Sequence, residues 1–374
     1  MSGLIPPPPT PGGSSLNEPV GDSEPKVGDT NAVTPGGGDL EPSRAENAIE
    51  LKEVEGLSQG RIVVRRFLRH RGAMISLGLL IFVILLAFSA EGLDALGIVI
   101  PGWWHYKYTD LDNIVNGGQP TLSLWPLNWG NHPFGQDSLG RDVFATVMRG
   151  AQQSLMIVFV VGILSTVIGV VIGSFSGYFR GWVDTLLMRF TDAIIIIPLI
   201  VLTAVLGRTY GAAGSFVVAI ALGLASWTGL ARLVRGEVLA LREREFVDAA
   251  RVAGGSNFRI MFVHILPNAV GVVVVNTTLL MSATILTEAA ISFLGFGVQQ
   301  PDVSLGSIIQ LYENAFNTRP WLFFWPVSFI IIIALTINFI GDGLRDAFDP
   351  RQKRALNKAA RKSAAAARAK VATR

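Results

Sequence analysis

Leu155-Met156-Ile157-Val158-Phe159-Val160-Val161-Gly162-Ile163-Leu164-Ser165-Thr166-Val167-Ile168-Gly169-Val170-Val171-Ile172-Gly173 runs without one charged side chain. As a helix rising about 1.5 Å per residue, it is long enough to cross a hydrocarbon core of about 30 Å. A helix on the surface of a soluble domain pairs an apolar stripe with a polar face, and this run has no polar face to offer. It reads as a membrane span, and the rest of the chain is organised around it.

Four further runs meet the length requirement: Ala73–Ala90, Ala212–Leu230, Ala269–Leu286 and Trp321–Ile340. A sixth, Ala193–Leu206, is too short alone and becomes long enough when extended back to Trp182, which takes in Arg189 and Asp192. Those two charges are expected at the cytoplasmic end of the span, paired across three helical positions. Pro198 lacks a backbone N–H and is expected to kink the same span. The fold class that follows is an all-α polytopic membrane protein with six transmembrane helices. Composition agrees, because 50% of the 374 residues are hydrophobic and only 16% charged, against about 25% charged in soluble domains.

Lys and Arg in the flanking segments set the orientation. With a cytoplasmic N-terminus, the inner side holds Arg61, Arg65, Arg66, Arg69 and Arg71, then Arg180, then Arg232, Arg235, Arg242, Arg244, Arg251 and Arg259, then a tail rich in Lys and Arg from Arg345 onward. The outer segments hold only Lys107, Arg141, Arg149, Arg208 and Arg319. Both termini are therefore expected inside a plasma-membrane, multi-pass protein.

The chain divides accordingly. Residues 1–56, with Pro6-Pro7-Pro8-Pro9 and Gly36-Gly37-Gly38, read as a disordered Pro/Gly-rich acidic cytoplasmic tail, because they hold too little apolar surface to offset ordering entropy. Residues 57–107 contain the first span, 108–149 an outer loop, and 150–343 a transmembrane domain of five helices. Residues 344–374 form a basic cytoplasmic tail suited to anionic lipid. Trp103, Trp104, Tyr106, Tyr108, Trp125 and Trp129 read as an interfacial aromatic belt or as a docking surface for an external partner. Asp137–Gln153 reads as an amphipathic segment in the outer interface, with Asp137 or Ser138 as its cap.

The inner loop between the fourth and fifth spans carries the most information. Glu245-Phe246-Val247-Asp248-Ala249-Ala250-Arg251-Val252-Ala253 is a good helix former that ends at Gly254-Gly255, a pair suited to a helix stop and tight turn. Ser256 then caps a second short helix, which Pro267 is expected to end. Phe246, Ala249, Ala250 and Ala253 recur at helical spacing and give a small, apolar face. Such a helix-turn-helix, lying along the membrane, is shaped to insert into a groove on another protein.

This loop resembles the coupling motif of type I ABC importer permeases at Asp248, Ala249, Ala250, Gly254, Leu266 and Pro267, with Asp248 in place of the usual Glu and His264 in place of Ile. Two more stretches resemble the dipeptide, oligopeptide and nickel branch of that family, in its C-type subunit. They are His132-Pro133-Phe134-Gly135-Gln136-Asp137-Ser138-Leu139-Gly140-Arg141-Asp142-Val143 and Glu288-Ala289-Ala290-Ile291-Ser292-Phe293-Leu294-Gly295-Phe296-Gly297-Val298-Gln299-Gln300-Pro301. Together the resemblance spans about 61–350. It implies a permease subunit translocating dipeptides or oligopeptides, in a heterodimer with a second permease, two ABC ATPase subunits and an extracytoplasmic substrate-binding protein. It also implies that residues 244–267, with Glu245, Asp248, Ala249, Ala250, Gly254, Leu266 and Pro267 as contacts, pass ATPase closure to the spans, Asp248 meeting a basic group of the partner.

No Gly-x-x-x-x-Gly-Lys-Ser/Thr loop occurs, so ATP and Mg are expected in the partner ATPases, with no cofactor or metal bound by this chain. In the fifth span Asn276, Thr277, Thr284 and Glu288 are candidates for the translocation path. The competing reading has such residues hydrogen-bonding helices together. A six-span secondary transporter or channel driven by an ion gradient is the alternative function, although no internal repeat is evident. Catalysis finds little support. Cysteine is absent, the four histidines His70, His105, His132 and His264 are scattered, and no His-Glu-x-x-His pair or Gly-x-Ser-x-Gly elbow is present. Nothing points to nucleic acid.

Overall fold

In a computed structural model of the chain, residues 59–95, 98–124, 127–210 and 214–349 are described; the two tails read from the sequence lie outside the described residues, apart from 344–349. The helices are α1 (Gln59–Arg69), α2 (Arg71–Glu91), α3 (Val143–Phe179), α4 (Gly181–Ile195), α5 (Leu199–Tyr210), α6 (Ser215–Ser226), α7 (Thr228–Arg242), α8 (Glu245–Val252), α9 (Leu266–Phe293), α10 (Leu305–Leu311) and α11 (Trp321–Phe348). α2, α3, α11 and the continuous helix Asn257–Phe293 that includes α9 are each long and apolar enough to cross a membrane alone. α4 with α5, bent by 75°, and α6 with α7, bent by 43°, complete six candidate spans. The first bend falls where Pro198 was expected to kink the chain, since proline removes a hydrogen bond and disfavours helix at the residue before it.

The segment between α2 and α3 adds two short antiparallel ladders to a helical protein. β1 (Gly92–Ala95) pairs with β2 (Ile98–Pro101), Gly92 opposite Pro101, and β3 (Ser123–Leu124) pairs with β4 (Leu127–Asn128). Of the stretch expected to lie separately in the interface, residues 137–142 form a turn, and residues 143–153 are instead the first part of α3, a single helix of 37 residues. Its amphipathic look comes from burial on all sides, with Val143, Phe144, Val147 and Met148 packed beneath the loop and against α10 and α11. Asp142, not Asp137 or Ser138, caps it, its Oδ2 accepting from the Ala145 N–H at 3.0 Å.

Lipid tails are as apolar as leucine, so membrane helices associate through close packing and hydrogen bonds. α3 meets α7 along Gly169, Gly173 and Gly177, one glycine per helical turn. A Cβ on Gly173 would lie 2.5 Å from the Ala231 carbonyl oxygen, and one on Gly177 2.8 Å from that of Arg235. Beside this seam the Ser165 Oγ donates to the Gly223 carbonyl at 3.0 Å. Arg235 holds Asp184 by two hydrogen bonds of 2.6 Å, and the Ser176 hydroxyl donates to the same carboxylate. The expected Arg189–Asp192 pair is not formed: Asp192 pairs with Arg232 across the α4–α7 contact. Helical spacing alone reveals only neighbours on the same helix, and here the partner comes from another.

Candidate coupling surface and translocation path

α8 is a two-turn helix fixed to the bundle chiefly by Val247. Val247, fully buried, joins Val234 and Val238 of α7 and Ile260, Met261 and Ile265 beyond the turn in one apolar cluster. The helix closes through the Ala253 N–H to Ala249 and the Gly255 N–H to Ala250, both 3.0 Å. Gly254 takes φ +76°, the left-handed conformation that ends such a helix. Ser256 then caps the next turn, its Oγ accepting from the Arg259 N–H at 3.4 Å, and the Tyr178 hydroxyl of α3 donates to the Asn257 Oδ1 at 2.9 Å. A hairpin formed by α8 and the start of the helix Asn257–Phe293 is thus clamped to α3 and α7.

The expected stop at Pro267 does not occur. An α turn at Asn257–Arg259 and a π-helical turn at Ile260–Ile265 lead without interruption into α9. The wider π turn relieves the clash and the missing hydrogen bond that proline imposes within an α-helix, which lets Pro267 sit in the first turn of α9. Leu266 is half-buried and Pro267 exposed.

Outward the hairpin presents apolar side chains among charged ones, with Arg244, Arg251 and Arg259 exposed as well. Phe246 is 39% exposed, Phe258 57% and Val252 90%, alongside exposed Ala249, Ala253 and Gly254. Ala250, expected on that face, is half-buried and turned toward the Val247 cluster. Val252 and Phe258 were not singled out from the sequence, because their exposure depends on how the turn aims each helix. Glu245 is exposed. Asp248 is also exposed, but it already has a partner within the chain, accepting from Arg251 Nη1 at 2.9 Å. An exposed pair of this kind contributes about 0–1 kcal/mol, so it exchanges readily for another cation.

The four candidate path residues of α9 separate into different environments. Asn276 Nδ2 donates to the Val272 carbonyl of its own helix, and Thr277 Oγ1 meets Thr166 Oγ1 of α3 at 2.7 Å, a helix-packing contact. Glu288 is buried, accepting from Ser154 Oγ at 2.9 Å and Ser292 Oγ at 2.7 Å, while Ser154 Oγ accepts from the Leu305 N–H at 3.2 Å. Its carboxylate ties α9 to α3 and to the start of α10, beside a cavity of about 10 Å³, room for roughly one water. Thr284 borders a larger cavity of about 370 Å³ between the breaks of both bent spans, with Pro198, Leu222, Ser226, Thr228 and Thr287. Of the four, only Thr284 lines this larger space.

At the opposite end of the bundle, the His132–Val143 motif folds as one unit, buried except for the turn at Ser138-Leu139 and the half-buried Arg141. Asp142 accepts from Trp104 Nε1 at 2.6 Å and meets His132 Nδ1 at 3.1 Å. Burial raises the Asp142 carboxyl above its ordinary value, opposed by the hydrogen bonds from Trp104, Ala145 and His132. Asp137 closes its own turn through the Leu139 and Arg141 N–H groups and accepts from the Tyr312 hydroxyl at 2.9 Å. Phe134 stacks on Trp325 of α11, with centroids 3.8 Å apart. Among the described residues no cluster of three or more His, Asp or Glu side chains forms a metal site.

A family model described as a binding-protein-dependent transport system inner membrane component matches residues 169–354. A second, described as the N-terminal TM domain of oligopeptide transport permease C, matches 58–118. The oligopeptide transport system permease protein OppC of Mycobacterium tuberculosis is 38% identical over 300 residues, which cover 80% of this chain and 97% of that one. The proteins of the same name from Haemophilus influenzae and Bacillus subtilis are each 35% identical, covering 82% and 84% of this chain and 93% and 97% of theirs.

Proposed function

This chain belongs to the OppC-like permeases, the membrane-spanning components of a peptide and oligopeptide ABC importer family, and on that premise we propose that it carries dipeptides or oligopeptides across the plasma membrane. It is a permease subunit of an ABC-type importer, not an ion-driven transporter, and the energy source lies in other chains. Its complement is a second permease, two ABC ATPases that hold ATP and Mg, and a substrate-binding protein on the outer side.

The observation that carries the coupling role is the hairpin 244–267, which exposes Phe246, Val252 and Phe258 within a charged surround and is clamped by Val247 on its inner side. Phe246, Ala249, Val252, Gly254 and Phe258 are its contact face. Glu245 and Asp248 provide charge at the rim, while Ala250, Leu266 and Pro267 join that face to α9. Movement imposed on α8 passes through the Gly254 turn and the Val247 cluster to the helix Asn257–Phe293, which includes α9. Arginine placement supports a cytoplasmic position for this end, and with it cytoplasmic termini, since α1 and the last turn of α11 meet there, Arg66 Nη1 donating to the Ala347 carbonyl at 3.3 Å. In this reading residues 1–56 and 349–374 are cytoplasmic tails, 57–107 carry the first span, 108–142 form an outer loop, and 143–348 form the transmembrane domain proper, the bounds expected at 149/150 and 343/344 moving to the ends of α3 and α11. Thr284, on the larger cavity, is the path residue we retain; Thr277 and Glu288 hold helices together, and Asn276 bonds back to its own helix.

The test is uptake of labelled dipeptides and longer peptides into proteoliposomes containing the assembled complex. Uptake that requires ATP hydrolysis and survives collapse of proton and sodium gradients is expected. ATP-driven uptake of a non-peptide cargo with none of peptides would overturn the substrate assignment.

A further inference from the structure

We propose that α1 is an anionic-phospholipid site lying in the membrane surface, with Arg61, Arg65 and Arg69 on lipid phosphates and Val64 and Leu68 in the acyl boundary. The three arginines recur every fourth residue, so they share one helix face. All three are exposed, and none forms an ion pair among the described residues. Val64 and Leu68, beside them, are 57% and 55% exposed. Apolar side chains next to an unpaired basic row define a helix that lies in the headgroup layer.

The other face of α1 is occupied. Phe67 packs toward Gly343 of α11, Arg66 donates to Ala347, and the Nε2 of His70 lies 3.4 Å from Asp346. The Asp346 carboxylate near the end of α11 therefore adjoins this side of α1, where Arg66 and His70 lie. The chain breaks at His70, whose side chain caps α2, and the membrane span begins at Arg71. The arginine row thus lies within about three helical turns of the start of the span and does not depend on a soluble partner to reach the headgroups. Guanidinium groups bind phosphate by paired hydrogen bonds, and each arginine near an anionic surface strengthens attraction about fivefold. A neutral bilayer offers Val64 and Leu68 an apolar boundary but lacks the net charge that three arginines select.

Because the sequence contains no cysteine, Val64→Cys places a single environment-sensitive fluorophore on this face of the full chain. The labelled protein is placed in nanodiscs of phosphatidylcholine alone or in an equimolar mixture with phosphatidylglycerol, and quenching by acrylamide is compared. We expect several-fold weaker quenching in the anionic mixture. That difference should vanish in the Arg61→Gln/Arg65→Gln/Arg69→Gln variant and persist in the corresponding triple Lys variant, which also serves as the folding control. Equal quenching in the two lipids, including protection already complete in phosphatidylcholine, overturns the proposal. So does a phosphatidylglycerol effect that survives the triple Gln change.

Discussion

Asp184 and Asp192 lie on the same helix and both pair with an arginine of α7, yet their surroundings give them different weight. Asp192 and Arg232 are 43% and 49% exposed, a setting in which an ion pair contributes about 0–1 kcal/mol. Asp184 is 19% exposed, holds Arg235 through two hydrogen bonds, and accepts from the Ser176 hydroxyl, so removing it leaves partly desolvated donors unmatched at a cost of about 1–3 kcal/mol. Asp184→Ala should lower the thermal unfolding midpoint in detergent clearly, and Asp192→Ala hardly at all. Equal shifts would contradict the assignment. The glycine seam makes a second residue-scale prediction. Gly173→Leu forces its side chain into the Ala231 carbonyl and Val234, costing about 1–3 kcal/mol as overpacking, and should reduce the yield of folded protein. Gly236→Leu, on α7 with open space around it, should be tolerated. The seam's glycines recur every fourth residue in the sequence but were not singled out there, because the spacing does not say which helix faces them. Asp192's partner was not legible either, because pairing between helices leaves no trace in the spacing of one.

Among the elements, straight spans were the most legible, since length and apolar composition suffice to call them. The 75° break between α4 and α5 was announced by Pro198, whereas the 43° bend at Trp227 has no proline and depends on packing around it. α3 was cut short in the sequence reading because its first turns are covered by the β1–β4 segment, α10 and α11, and a buried helix end can carry polar groups that look amphipathic. The coupling hairpin was recognised by its motif, while its aim was set by tertiary contacts. Val252 emerges exposed and Ala250 does not. The turn at Gly254 supports an element-scale prediction. Nothing lies within 4 Å of a Cβ built there, so a substitution is penalised through its positive φ and not through a clash in this chain. A β-branched residue is strained in that conformation by about 1–3 kcal/mol, while Asn visits it readily. Gly254→Val should abolish peptide uptake with membrane insertion intact, and Gly254→Asn should retain most of it. Uptake unimpaired in the Val variant would remove this turn from the coupling mechanism.

For the whole molecule, the arrangement places two different surfaces at opposite ends of one helical unit. One end carries a buried polar knot around Asp142, Gln136 and Asp137 beneath an aromatic loop, and the other carries the exposed hairpin. A continuous helix from Asn257 to Phe293 joins them and reaches Glu288, whose carboxylate meets Ser154 of α3 near the start of α10. The membership of the chain was legible because three separated motifs occur in register. Its path residues were not, since hydroxyls that line a cavity and hydroxyls that join helices look alike until their partners are known. The most direct measurement is affinity purification of the tagged chain from mild detergent, with co-eluting proteins identified by mass spectrometry. The account predicts recovery of a second permease and P-loop ATPases, with the ATPases alone lost when Phe246 and Val252 are both replaced by Asp. Recovery of the chain by itself, or an ATPase complement indifferent to those two substitutions, would contradict it.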